Sequence, residues 1–307
     1  MKTLLISLFL TLSFQALAGN YSGWGLNSIN MPEKIVVGKE ITVAVLDTGI
    51  DPTHEHLKGN LVRFLDFSKT GKNDSHGHGT HVAGIIKNIF PKVKLVALKY
   101  YNPKFNGRQS LEATVKALKA AVDMNVDVIN YSGGGPEASS EELAVLKEAE
   151  RKGIIVVVAA GNESSDIDKK SNAFYPAAYG LTNVISVSAH DESLKLIKSS
   201  NWGKKLVDLA APGKRIKSAL PYDRAGFLTG TSQATAFVTG VVAILKSQFP
   251  KLSYTDVKDI IRSSAKSETA LASNSNSGGR LNAKAAVLRA ERKAMKESIF
   301  NSLAKVN

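Results

Sequence analysis

Short apolar runs alternate along the chain with segments of helical periodicity. Runs rich in Val, Ile and Leu predict buried strands at residues 41–46, 93–98, 126–129, 154–158 and 184–187. Helical patterns lie between or after them, at residues 82–89, 111–124, 141–152, 232–248 and 255–264. Strands that alternate with helices in this way predict an α/β fold, a three-layer α/β/α domain around a mainly parallel central sheet.

The last part of the chain has a helical pattern of its own. A polar stretch at residues 273–279 predicts a loop, and the segment from Ala283 onward places one set of apolar residues on a single helical face: Leu288, Met295, Ile299 and Leu303. This helix either packs on the domain, which is the interpretation we favour, or binds a partner.

The N-terminus has the features of a secretory signal peptide. Lys2 gives a positive start, an apolar run covers residues 4–12, and Ala16-Leu17-Ala18 has the small-residue spacing of a cleavage site. The alternative is an uncleaved anchor, but the run is shorter than the roughly 20 residues that a spanning helix needs. The sequence therefore predicts a signal peptide at residues 1–18 and a secreted protein, extracellular or periplasmic, without a membrane association after cleavage.

Composition removes some kinds of chemistry. The chain has no cysteine, which excludes disulfides, thiolate metal ligands and a cysteine nucleophile. Its net charge of +13 would suit an anionic partner. However, the basic residues are scattered in pairs such as Lys169-Lys170 and Lys204-Lys205, without aromatic residues between them. We interpret the charge as a solvated surface and predict no nucleic-acid partner.

Three polar positions next to predicted elements are candidates for catalysis. Asp47 follows the first strand, His78 stands at the entry of a helix, and Ser232 precedes a long apolar helix. Active residues of open α/β sheets gather at the carboxyl ends of strands, and a helix N-terminus can bind a developing negative charge. Asp47 and Ser232 each also have a plain structural interpretation, as a turn aspartate and as a helix cap.

The histidines near the second position could instead hold a metal ion. His76, His78 and His81 are separated by two and three residues, which is awkward for one helix face, and the zinc motif with a glutamate between its histidines is absent. Residue spacing alone leaves both a metal site and a catalytic base open.

Taken together, the three positions resemble the signatures of the subtilisin family of serine proteases (subtilases), in the family's order. The matching motifs are Asp47-Thr48-Gly49-Ile50-Asp51, His78-Gly79-Thr80-His81-Val82-Ala83-Gly84 and Gly230-Thr231-Ser232. The resemblance covers residues 24–288 and implies the subtilisin-like α/β fold. It also implies a triad in which Ser232 is the nucleophile, His78 the general base and Asp47 the residue that orients His78. His81 is then structural and His76 an exposed neighbour.

The resemblance also implies a substrate site. Asn162 would donate its side-chain amide to the oxyanion, and Phe174 stands where relatives have a small residue at the floor of the first specificity pocket. The pocket walls would come from two short segments, Ser132-Gly133-Gly134 and Ala159-Ala160-Gly161. A phenyl ring at the floor predicts cleavage after small residues such as Ala or Ser, unless the ring turns into the core.

The sequence departs from the family pattern at several places. Gln233, Ala236 and Phe237 replace residues common in the serine helix of relatives. His56 stands where the family's calcium site has an aspartate, and only residues 91–92 separate a helix from the next strand, where that site has a loop. Hard cations need several oxygen ligands. We therefore expect no metal and no cofactor.

The sequence as a whole predicts a secreted serine endopeptidase that works through an acyl-enzyme intermediate. Its domains would be the signal peptide, a catalytic domain at residues 19–288 and a helical tail at residues 289–307. Its partners would be protein or peptide substrates, and we expect a monomer. The rival interpretations are an inactive binding protein with the same fold and an esterase. An esterase normally has Gly-x-Ser-x-Gly and the order Ser, Asp, His, neither of which occurs here.

Overall fold

A computed structural model describes residues 10–13 and 23–303 of the chain, with side chains from residue 23 to residue 300. The strands are β1 (Leu10–Ser13), β2 (Lys34–Val37), β3 (Thr42–Asp47), β4 (Leu61–Asp66), β5 (Lys94–Lys99), β6 (Val128–Tyr131), β7 (Ile155–Ala159), β8 (Val184–His190), β9 (Leu209–Pro212), β10 (Ile216–Leu220), β11 (Arg224–Leu228), β12 (Lys266–Ser267) and β13 (Gly279–Arg280). The α-helices are α1 (Trp24–Ser28), α2 (His78–Ile89), α3 (Gly107–Asp123), α4 (Ser140–Arg151), α5 (Thr231–Gln248), α6 (Tyr254–Ser263) and α7 (Ala283–Leu303).

Nine strands form one central sheet in the order β12-β13-β9-β8-β7-β6-β3-β5-β4. Every neighbouring pair in it is parallel except β12 and β13. Two antiparallel pairs lie outside this sheet, β1 with β2 and the hairpin β10–β11. The predicted α/β architecture with a mainly parallel sheet is confirmed.

The sheet separates two hydrophobic cores. Along β3, Val43 and Val45 belong to the core that also contains buried residues of α2, α5 and α6, whereas Ala44 and Leu46 belong to the core with α3 and α4. Successive side chains of a strand point to opposite faces, so a strand covered by helices on both sides must be apolar at every position. This explains why the central strands are continuous apolar runs in the sequence.

All five strands and five helices predicted from the pattern are present, with bounds that shift by a few residues. The pattern did not indicate β4 or the hairpin β10–β11. β4 lies at the sheet edge, where none of its residues is fully buried and Arg63 is exposed. Strands that are exposed on one side lack the continuous apolar run that marks the five predicted strands.

The C-terminal helix α7 packs on the domain, as we favoured, but not through the predicted face. Ala283, Ala286 and Ala290 are fully buried in the core next to α5 and α6, because their small side chains let the helices approach closely. Leu288 and Met295 are 44% and 59% exposed. Ile299 is also 59% exposed, and the side chain of Leu303 lies outside the described residues. The prediction that this apolar face forms the contact is therefore wrong.

The predicted signal peptide at residues 1–18 lies outside the described residues, apart from the four residues of β1. Within the described ranges, 10–13 and 23–303, no helix combines the length and the apolar character needed to cross a membrane.

Candidate active site

Asp47, the last residue of β3, is the most deeply buried member of the candidate triad. Its side chain is 3% exposed, and its Oδ1 lies 2.6 Å from Nδ1 of His78 and accepts the backbone N–H of Thr48 at 2.8 Å. A carboxylate can only accept hydrogen bonds, so Nδ1 of His78 carries the proton. In the neutral ring, Nε2 is then the unprotonated nitrogen, which is the form that can accept a proton.

His78 is the first residue of α2, and the glycine after it lets the helix approach β3. A Cβ atom at Gly79 would lie 2.0 Å from the carbonyl oxygen of Gly49 and 3.0 Å from Cβ of Asp47. No larger residue fits there without moving the backbone. The His-Gly pair is thus the local reason why His78 comes within hydrogen-bonding distance of Asp47.

Asp74 fixes the entry of this helix, and the sequence analysis missed it. Its carboxylate accepts the backbone N–H groups of Gly77 at 2.8 Å and Thr80 at 2.9 Å, and the hydroxyl of Thr80 at 2.6 Å. It also accepts the hydroxyl of Thr48 at 2.9 Å, which links α2 to the end of β3. An aspartate shortly before a predicted helix is an N-terminal capping signal that could have identified this residue.

The surroundings of His78 change its pKa in two opposing ways. Burial lowers the pKa, because it disfavours the charged ring. The negative charge of Asp47, its hydrogen bond and the charge of Asp74 outweigh burial, so that the pKa of His78 is raised above its ordinary value. The site therefore stabilises the imidazolium that forms when His78 accepts a proton.

Ser232 is the second residue of α5 and is 7% exposed. Its hydroxyl donates a hydrogen bond to the main-chain carbonyl of Ser132 at 2.9 Å. That hydroxyl is therefore bonded to the main chain and not to His78. The structure brings Asp47 and His78 together directly, and it leaves Ser232 bonded to Ser132, the residue that follows β6.

The side chain of Asn162 is exposed and held in one orientation. Its Oδ1 accepts the backbone N–H of Thr231 at 3.0 Å and the hydroxyl of the same residue at 3.3 Å. Because the oxygen takes these donors, the Nδ2 amide points away from them, next to the N-terminus of α5. Thr231 belongs to the serine motif, but the sequence does not predict its contact with Asn162.

The segments predicted to form the substrate site lie at the carboxyl ends of two neighbouring strands. Ser132, Gly133 and Gly134 follow β6, whereas Ala159, Ala160 and Gly161 end β7 or follow it. Phe174 lies between the two segments. A Cβ atom would come within 2.5 Å of this ring if it were added at Gly134, and within 2.9 Å at Gly161. The ring thus occupies the space between the two strand ends.

The other two histidines of the motif have different surroundings. His81 is fully buried, and its Nε2 is 2.9 Å from the carbonyl oxygen of Ile216 and 3.3 Å from that of Gly226, in the hairpin β10–β11. Burial lowers the pKa of His81 to about 4. His76 is exposed, with its ring 5.2 Å from that of Tyr101. These positions agree with a structural His81 and an exposed His76.

Residues 23–300, whose side chains the structure describes, contain no group of three or more His, Asp or Glu side chains placed to hold a metal ion. At His56, where a metal ligand was considered, the ammonium of Lys87 donates a hydrogen bond to the main-chain carbonyl. A positive charge at this place disfavours a bound cation.

The family comparison extends beyond the three motifs. A sequence model of the subtilase family matches residues 38–285 of the chain. The Major intracellular serine protease of Bacillus subtilis is 38% identical over 241 residues, which are 73% of this chain and 74% of that protein. Subtilisin E of the same organism is 34% identical over 256 residues, 79% of this chain and 65% of its own length.

A solved structure, that of a cold adapted subtilisin-like serine proteinase, has the same fold. It superimposes with a TM-score of 0.72 and 27% sequence identity, and the match covers 86% of this chain and 99% of the other.

Proposed function

The chain belongs to the subtilase family of serine endopeptidases, and from this premise we propose that Asp47, His78 and Ser232 are its catalytic triad. The observation that carries the proposal is the 2.6 Å hydrogen bond between His78 and Asp47 at the carboxyl end of β3. Ser232, in the first turn of α5, bonds to Ser132 at the carboxyl end of the neighbouring strand β6. The reaction is the hydrolysis of peptide bonds through an acyl-enzyme intermediate.

In the first step, the hydroxyl of Ser232 leaves the carbonyl of Ser132 and turns to Nε2 of His78. His78 takes its proton as Oγ attacks the carbonyl carbon of the substrate, because an unassisted serine hydroxyl is a weak nucleophile. Asp47 accepts from Nδ1 and stabilises the imidazolium, in line with the raised pKa of His78. His78 then protonates the leaving amine, and water attacks the acyl-enzyme by the same route in reverse.

We propose that Asn162 and the backbone N–H of Ser232 bind the oxyanion of the tetrahedral intermediate. The Oδ1 of Asn162 is held by Thr231, which leaves its Nδ2 to donate beside the helix N-terminus. Donors that are fixed before the reaction stabilise the developing charge without a cost of reorganisation.

Labelling with a fluorophosphonate tests the nucleophile. The wild-type chain is expected to take up one label, on the peptide that contains Ser232, while Ser232→Ala takes up none. Ser263→Ala, at the exposed end of α6, is the control and is expected to label like wild type. Absence of labelling in the wild type would identify the chain as an inactive binding protein. A label on another serine would show that Ser232 is not the nucleophile.

We also propose that Phe174 limits the first specificity pocket to small side chains. Its ring lies between Gly134 and Gly161, which belong to the two segments proposed as pocket walls. A large apolar residue of the substrate would have to displace the ring, whereas Ala or Ser would fit in front of it. Each methylene group that fails to fit a pocket costs about 1–3 kcal/mol in specificity.

Cleavage-site profiling on a digested proteome tests this preference. The wild type is expected to cleave mainly after Ala and Ser, and Phe174→Gly to extend cleavage to Phe, Tyr and Leu. Phe227→Gly removes a ring that is 55% exposed elsewhere on the surface and is the control, with an unchanged profile. Dominant cleavage after large apolar residues by the wild type would contradict the proposal.

For the domains and the localisation, we propose a signal peptide at residues 1–18, a catalytic domain at residues 19–288 and a helical tail at residues 289–307. The mature protein is then secreted, monomeric and without a membrane or nucleic-acid partner. Two relatives carry the name of an intracellular protease, so the proposal of secretion rests on the N-terminal sequence alone. N-terminal sequencing of the exported protein tests it, with Gly19 as the expected first residue.

A further inference from the structure

A chain of buried hydrogen bonds runs from the middle of α5 back to the residue proposed as the nucleophile. The hydroxyl of Thr239 donates to Oδ1 of Asn130 at 2.7 Å, and Nδ2 of Asn130 donates to Oγ of Ser132 at 2.9 Å. Oγ of Ser132 then donates to the main-chain carbonyl of Ser232 at 3.2 Å. The side chains of Thr239, Asn130 and Ser132 thus connect the middle of α5, through the end of β6, to Ser232, which lies about two turns earlier in the same helix.

This series of hydrogen bonds is shielded from water at every member. Thr239 and Asn130 are fully buried, and Ser132 and Ser232 are 8% and 7% exposed. In such surroundings a hydrogen-bond partner that is lost cannot be replaced by solvent, which makes each member depend on the one before it.

The chain also fixes both ends of the contact between Ser132 and Ser232. Ser132 donates through its hydroxyl to the carbonyl of Ser232 and accepts through its own carbonyl from the hydroxyl of Ser232. These two bonds tie Ser232 to the residue that follows β6, one at its main-chain carbonyl and one through its own hydroxyl. One of them, the bond from the side chain of Ser132, is oriented by Asn130 and hence by Thr239.

We propose that Thr239 and Asn130 are positioning residues, which hold the peptide unit of Ser232 in place for attack through the side chain of Ser132. The proposal rests on Ser232 being the nucleophile. Without the hydroxyl of Thr239, Asn130 can turn, the side chain of Ser132 loses its fixed donor, and the start of α5 can shift against β6. A displacement of about 1 Å at a reacting group can cost about 100-fold in rate.

The primary test compares three variants of the full chain by steady-state kinetics on a peptide substrate. Thr239→Val, which keeps the shape but removes the hydroxyl, is expected to lower kcat by about 10- to 100-fold with little change in KM. Thr239→Ser restores the donor and is expected to restore kcat. Ser247→Ala is the matched control: it removes a fully buried hydroxyl at the other end of the same helix, which donates to the main-chain carbonyl of Lys39. Its kcat is expected to stay near that of wild type.

A second variant tests the same series of hydrogen bonds at the end next to Ser232. Ser132→Ala is expected to lower kcat as Thr239→Val does. Because the two changes break one series of bonds, the kcat of the double variant is expected to be no lower than that of the less active single variant. Melting curves show which variants fold, and if Thr239→Val does not, the effect of Ser132→Ala on kcat decides.

The proposal is overturned if Thr239→Val keeps the wild-type kcat, if Ser247→Ala loses as much, or if the losses in the double variant multiply. An inactive wild type would instead be a failure of the proposed function. The labelling of Ser232 therefore distinguishes a wrong nucleophile from a wrong positioning chain.

Discussion

At the scale of single residues, the amide of Asn162 offers a direct test of the oxyanion site. In a subtilisin, loss of the side-chain oxyanion donor lowers turnover by about 100- to 1,000-fold, and we expect a loss of the same order for Asn162→Ala here. KM is expected to change little, because the bond forms fully only as charge develops on the substrate oxygen. Asn27→Ala, at an exposed position of α1, is the control. A change in KM alone would show that Asn162 binds substrate but not the oxyanion.

The raised pKa of His78 predicts the acid side of the pH profile. His78 can act as a base only when it is neutral, so activity falls as the pH drops through its pKa. Because burial lowers this pKa less than Asp47 and Asp74 raise it, the midpoint of that fall is expected above the ordinary histidine value of about 6.5.

Asp47→Asn tests the cause of this shift. Without the negative charge, the pKa of His78 is expected to move down, which NMR titration of the ring in the Ser232→Ala background would measure without interference from autolysis. Asp223→Asn, an exposed carboxylate next to His54, is the control and is expected to leave the titration of His78 unchanged. An unchanged pKa in Asp47→Asn would contradict the proposed pairing.

At the scale of elements, the short connection between α2 and β5 bears on metal dependence. α2 ends at Ile89 and β5 begins at Lys94, so only four residues, 90–93, connect the helix to the strand. The short connection and the positive charge of Lys87 at the carbonyl of His56 both argue against a bound hard cation, which needs several oxygen ligands.

We therefore expect EDTA to leave the melting temperature and the activity of the protein unchanged. Calorimetry with EDTA, and again with added calcium, measures this. A clear fall in melting temperature that calcium reverses would show that a metal site exists and that the expectation is wrong.

The elements also show why part of the structure could be predicted and part could not. β3 and β7 are covered on both faces, so each is a continuous apolar run that can be recognised from the sequence alone. β4 and the hairpin β10–β11 are partly exposed, so their mixed composition hides them. The hairpin nevertheless holds His81, which makes it part of the support of the site.

At the scale of the whole molecule, the triad could be proposed from local motifs because each member stands in its own short glycine-containing segment. Of the residues that orient it, Asp74 has a local capping signal, but the others could not be found in this way. Thr239 and Asn130 are 109 positions apart and Thr231 and Asn162 are 69 apart, so that only the folded chain brings them together. The apolar face of α7 was assigned wrongly for a related reason: periodicity shows that a helix has a face, but contacts decide which face is buried.

The central claim, that this chain is an endopeptidase whose nucleophile is Ser232, is tested most directly by its rate of protein hydrolysis. Purified residues 19–307 are expected to digest casein at neutral to alkaline pH, and Ser232→Ala to lose at least about 1,000-fold of that activity, because the triad works as one unit. Ser263→Ala, assayed alongside, is expected to keep the wild-type rate. Equal hydrolysis by wild type and Ser232→Ala, or none by either folded protein, would contradict the account.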